Sequence, residues 1–294
     1  MDNGPRAIKP ISRYFREAIR FYELDKPFVA QIIFLLMLAV QFGGYLLIKP
    51  FAVDLYTHYE RLVVRLQGDL SIERINDIMF DSGEYEALIQ SFVTVLLLIA
   101  AIRFAAFLVS LFFGSWYFFG LTNPGMTGGQ RALVYFSRLP KLIIFNVLYN
   151  TVLYFGVFVI ILVFGIISFI IPALAFFAAL LPLAVMAVST LFVFKDLLII
   201  EFDIGIFRNF RKSVELTRGS RKQVIINMMC VNLLGWVLSL FAIDVNNALL
   251  ALFISVFMES IIMIVAQRLS VLMFLDAASI ERSGEPLDKD AENV

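Results

Sequence analysis

The sequence is poor in the residues that usually carry chemistry. It has one cysteine, Cys230, so no disulfide can form within the chain. It has one histidine, His58, so no imidazole pair is available to hold a metal. Charged residues make up 16% of the chain, against about 25% in an ordinary globular domain, and the net charge is zero. A neutral chain offers no global field for nucleic acid, and none is expected as a partner. Gly128-Gly129 lacks the lysine spacing of a P-loop. Cys230 lies in an apolar run with no basic partner to activate it. The expectation is a protein without enzymatic activity, cofactor or metal.

What the chain has in abundance is apolar length. Hydrophobic residues reach 61%, with 31 phenylalanines, against roughly 45–50% in soluble domains. They come in long runs, and about 20 apolar residues cross a bilayer as a helix. The predicted fold is therefore all-α, a polytopic membrane protein with six transmembrane helices at about 28–48, 88–121, 142–169, 173–194, 224–243 and 248–275. Lys49-Pro50 closes the first. The second is one long tilted helix. Gly165 to Pro172 separates the third from the fourth, which Pro182 is expected to kink. Residues 1–27 form a cytoplasmic amphipathic segment, and 276–294 an acidic tail expected to be disordered. The first apolar run is too long for a cleavable signal peptide and stays as a span.

Basic residues set the orientation. One side of this arrangement collects 19 of the lysines and arginines, and the other only Lys49, Arg61, Arg65 and Arg74. The basic side faces the cytoplasm, so both termini are inside, and the expected location is the cytoplasmic (inner) membrane of a prokaryote. The outer segment, 49–87, is acidic. Ile72, Ile75, Ile78 and Met79 recur there at helical spacing, and no spaced calcium-loop pattern is present.

Each inside-to-outside span follows a basic amphipathic stretch: Phe15 to Val29, Arg131 to Ile143, and Phe210 to Val224. Aligned without gaps, Ala18, Ala132 and Ser213 coincide, as do Ile19, Leu133 and Val214. This suggests three copies of an elbow helix plus a transmembrane hairpin. In the third copy Asp203 is placed to cap the helix start, Gly219 to end it, and Phe207, Phe210 and Val214 to share a face. Such a helix lies in the headgroup plane. Arg208, Arg211, Lys212, Arg218, Arg221 and Lys222 are the candidate contacts to lipid headgroups, with anionic membrane lipids as expected partners. The same stretch could instead serve only as an anchor.

The run KDLLIIEFDIGIFRNFRKSVELTRGSRKQVIINMM follows the proline-containing pair of spans GIISFIIPALAFF. This resembles bacterial inner-membrane proteins of the YciC-like type and the related membrane domain fused to some glycerophosphodiester phosphodiesterases. Asp203, Gly205, Lys212, Ser213, Leu216 and Thr217 carry the resemblance, which covers about Leu142 to Met229. It implies fold and location, and no catalytic residues. The phosphodiesterase domain is absent from this sequence.

Charge at membrane depth is costly and points to function. Arg103 lies about fifteen residues from the outer end of the second span and Glu259 about eleven from that of the sixth, a depth difference of roughly 6 Å. They form a candidate intramembrane pair, either lining a proton or substrate path or locking two helices; otherwise Arg103 snorkels. Asn146, Asn150, Asn227 and Asn232 are placed for interhelical hydrogen bonds. Two functions follow: a scaffold or accessory subunit that docks lipid, a membrane protein partner or a second copy, or a transporter with a midplane site near Arg103 and Glu259.

Overall fold

The computed structural model describes residues 7–20, 22–66, 83–170, 181–240 and 247–283. These are helical, with no strand among them. In chain order the helices are α1 (Ile11–Ile19), α2 (Pro27–Leu66), α3 (Glu84–Thr122), α4 (Gly128–Ile170), α5 (Leu181–Thr190), α6 (Lys195–Phe202), α7 (Ile206–Thr217), α8 (Arg221–Ser239) and α9 (Ala248–Ala277). Four are long and apolar enough to cross a membrane: α2 over Pro27–Arg65, α3 over Glu84–Thr122, α4 over Gly128–Gly165, and α9 over Ala248–Ala277.

Local chemistry explains several boundaries. At the start of α4, Thr127 Oγ1 accepts from the Gln130 amide while Gln130 Oε1 accepts from the Thr127 amide, a capping box. Asn247 Oδ1 accepts from the amides of Leu249 and Leu250 and so caps α9. Glu84 and Glu86 occupy the first turn of α3, where the helix dipole favours acids. The third predicted elbow ends as expected: α7 stops at Thr217 and Gly219 follows at φ +90°.

Other boundaries differ from the sequence reading. Lys49-Pro50 does not end a helix, because α2 continues through Pro50 to Leu66. Proline forfeits one backbone hydrogen bond without stopping a helix that flanking residues hold. Arg131 to Ile143 is not a separate elbow; it opens the 43-residue α4, which also contains Pro140 and continues past Gly165. The predicted fourth span is described only from Leu181, and α5 ends at Thr190, short of Phe194. Pro182 lies within α5, and the residues before Leu181 are outside those described. The fifth predicted span corresponds to the 19-residue α8. Ile72, Ile75, Ile78, Met79 and Pro172 lie outside the described residues.

Asp203 does not cap α7. It terminates α6 in the left-handed region at φ 51°, and Gly205 holds the N-cap position of α7. Its carboxylate is taken by two cations of α4, Arg138 and Lys141. Of the tail, residues 276–283 are described: Asp276 is buried, and the Ser283 amide donates to the Leu121 carbonyl at 2.8 Å.

The chain divides into two compact units: residues 1–30, 111–238 and 262–294, and residues 31–110 and 239–261. The first is centred on α6, whose Leu197, Leu198, Ile199 and Ile200 are buried between α4 and α7. Phe118 and Phe194 both pack on the Phe274 ring, at 5.9 and 5.7 Å. In the second unit Phe34 and Phe42 of α2 meet Phe257 and Phe253 of α9 edge to face. Gln41 donates to Ser260 at 3.1 Å in the same buried seam. Gly44 admits the Ile102 side chain so closely that a Cβ would lie 2.7 Å from it.

Candidate functional site

Arginines of α7 and the start of α8 surround a cleft of the first unit. Its volume is about 750 Å³, and it is lined by Arg211, Arg218 and Arg221 with Glu215, over a floor of Phe192, Phe210 and Val214. The α7–α8 turn positions these cations. Thr217 ends one helix, Gly219 supplies the positive φ that the turn needs, and Arg221 opens the next. Arg211 Nε donates to Glu215 Oε1 one turn away at 3.0 Å.

Helix α7 meets the rest of the unit through a polar stripe. Asn209, Ser213 and Thr217 are buried, which leaves Phe207 89% exposed. Phe210 joins the rings of Phe145, Tyr149 and Phe192 at 4.9–6.1 Å. The shared face predicted for Phe207, Phe210 and Val214 is thus divided between surface and aromatic floor. Of the other candidate headgroup contacts, Arg208 and Lys222 are exposed, and the Lys212 ammonium lies 4.2 Å from the centre of the Phe202 ring.

Behind the aromatic floor lies a buried charge pair that the sequence reading missed. Lys195 Nζ donates to Asp196 Oδ2 at 2.6 Å, and Asn146 Nδ2 donates to Asp196 Oδ1 at 2.7 Å. Lys195 Nζ also sits 5.1 Å from the centre of the Tyr149 ring. Asn209 ties the pair to α7 by donating to the Lys195 carbonyl at 2.7 Å. Desolvated charges are tolerated only when paired and hydrogen-bonded in this way.

A second network joins the ends of the four long helices. Asp25, just before α2, accepts from Arg131 of α4 at 2.6 Å and from the Trp116 indole of α3 at 3.4 Å. Tyr117 of α3 donates to Glu17 of α1 at 2.6 Å, and Arg282 reaches the other Glu17 oxygen at 3.2 Å. Arg268 of α9 stacks on Tyr117 and donates to its hydroxyl and to the Arg20 carbonyl. Arg131 and Arg268 are each only 3% exposed. Tyr14 donates to Asp276 at 2.5 Å; burial and that carboxylate hold its phenol above the usual range.

The predicted asparagines are dispersed. Asn146 belongs to the buried pair. Asn227 donates to the Lys9 carbonyl at 3.0 Å and accepts from Gln223. Asn232 approaches Met186 Sδ at 3.5 Å, and Asn150 is half-buried.

The second unit holds the predicted intramembrane pair. Arg103 Nη2 lies 3.4 Å from Glu259 Oε1, and Arg103 Nε donates to the Tyr45 hydroxyl at 3.3 Å. The two helices therefore bring the pair together, and α2 adds a third member that no spacing pattern signalled. A cleft of about 580 Å³ in this unit is lined by Ala52, Leu55, Tyr56, Tyr59, Leu88, Ile89 and Phe92, and by neither Arg103 nor Glu259. Comparison with protein-family models, with curated proteins and with solved structures finds no match to this chain.

Proposed function

We propose that this is a non-enzymatic scaffold or accessory subunit of a prokaryotic cytoplasmic membrane, with six spans and both termini inside, which docks anionic phospholipid at the α7–α8 turn. The observation that carries this reading is the single cleft shared by Arg211, Arg218 and Arg221 above Phe192 and Phe210. Guanidinium groups match phosphate geometry and an aromatic floor suits acyl or glycerol carbons. Exposed Phe207 beside it supplies an apolar anchor of the kind interfacial helices use. The resemblance to YciC-like inner-membrane proteins, centred on this same stretch, fits the location. The Asp25, Glu17 and Arg268 network, which gathers the helix ends in one place, also supports it.

The test is native mass spectrometry of the protein released from nanodiscs of mixed phosphatidylglycerol and phosphatidylcholine. The wild type is expected to retain phosphatidylglycerol, and R211Q/R218Q/R221Q to lose retention by about tenfold, the effect of losing roughly 1.4 kcal/mol. Equal retention by both proteins would overturn the assignment. Transport is the second reading, favoured by the Arg103–Glu259–Tyr45 cluster. It requires water at that cluster, which the experiment below reads directly.

A further inference from the structure

The Arg103–Glu259 pair is closed but not covered. Arg103 stands midway along α3, with 19 residues between it and either helix end, and its side chain is 61% exposed. The Glu259 side chain is 31% exposed. Leu96, Leu97, Phe92 and Val93 on the same helix are exposed large apolar groups, as suits a lipid-facing surface. An arginine among them is costly in hydrocarbon, and the pairing with Glu259 leaves more than half of it uncovered. Ala100, one turn before Arg103, and Ala101 are both exposed, so another helix could approach this spot closely.

We infer that a second copy of this chain covers the pair, so that the protein is a two-fold dimer with Arg103 of each copy beside Glu259 of both. The argument is charge complementarity. A patch carrying one cation and one anion side by side is complementary to itself under a two-fold rotation, because each residue's contact is returned by its mate. The resulting ring of two guanidinium and two carboxylate groups is neutral. It surrounds each charge with opposite charges in place of acyl chains. A patch of a single sign could not pair with itself in this way.

The test uses the full chain in nanodiscs and liposomes. Cys230 is the only cysteine, so C230S gives a cysteine-free background, and A100C places one thiol on the proposed interface without touching any charge. Mild oxidation in liposomes at low protein density is expected to give a disulfide dimer from A100C, and none from V159C, which lies on an exposed stretch of α4. Single-molecule photobleaching should count two copies for the wild type, one for R103E and for E259R, and two again for R103E/E259R, where the opposite charges are exchanged. Wild type and R103E with the same copy number would overturn the inference. So would a different protein bound at A100C in native membranes, or reaction of A100C with a membrane-impermeant maleimide, which would mean a water-filled path. None of these readouts involves the α7–α8 cleft, so the lipid assignment stands or falls separately.

Discussion

Lys195 and Asp196 show how much depends on single side chains in the first unit. Both are buried at the first two positions of α6, and the carboxylate is shared with Asn146 from α4. Removing one charge would strand the other in a low-dielectric interior, a loss of about 3–5 kcal/mol when a buried pair is broken. D196A is expected to lower thermal stability in detergent by that order, and K195M/D196L to recover most of it. Equal losses in the single and double variants would show that the charges do not depend on each other. This cluster was hidden in the sequence because positive-side counting treats every lysine and arginine in a flank alike. Lys195, Arg131 and Arg268 were all counted as cytoplasmic cations, yet each is buried against a partner distant in sequence or a neighbouring acid. Burial is decided by partners that no local pattern reveals. Arg103 and Glu259 were legible for the opposite reason: each interrupts an apolar run, and two interruptions at similar depth invite pairing.

At the level of elements, the length of apolar runs marked the long helices, and α3 and α9 follow the predicted runs closely. Proline was the misleading signal. Pro50 and Pro140 lie within continuous helices, since the local cost of one lost bond is offset by the packing and length on either side. Asp203 misled likewise: an aspartate before an amphipathic stretch resembles a cap, but Arg138 and Lys141 compete for its carboxylate. Gly44 carries no signal in the apolar pattern. Gly44 lies against Ile102, with space for no Cβ, and so sets how closely α2 and α3 approach. G44V is expected to separate that seam and to lower the yield of folded protein severalfold, measured by size-exclusion profile in mild detergent. G43V, at a position with open space around it, should leave the profile unchanged. Equal behaviour of the two variants would remove the packing role.

For the whole molecule, the polar contacts constrain how often the chain must cross the bilayer. Arg131 near the start of α4, Trp116 near the end of α3 and Asp25 before α2 meet in one network, so these helix ends share a side. From there α4 runs for 43 residues. Yet Asp203, beyond α5 and α6, is bonded back to Arg138 and Lys141 in the first half of α4. The six-span topology proposed above accounts for Asp203 lying beside the start of α4. Asn227 of α8 then donates to the Lys9 carbonyl, and Asp276 in the last turn of α9 accepts from Tyr14. In the proposed six-span topology α8 makes the fifth crossing, ahead of the traverse by α9. The six crossings proposed would keep α7 on the side where α4 begins, whereas a chain crossing only at α2, α3, α4 and α9 would put it on the other. Cysteines placed one at a time in the C230S background read the difference. In intact spheroplasts an impermeant maleimide should label E60C and spare S12C and R208C, both of which should react after lysis. Labelling of R208C in intact cells would reduce the count to four and move the arginine cleft to the outer face. It would then oppose the charge bias of 19 basic residues against four.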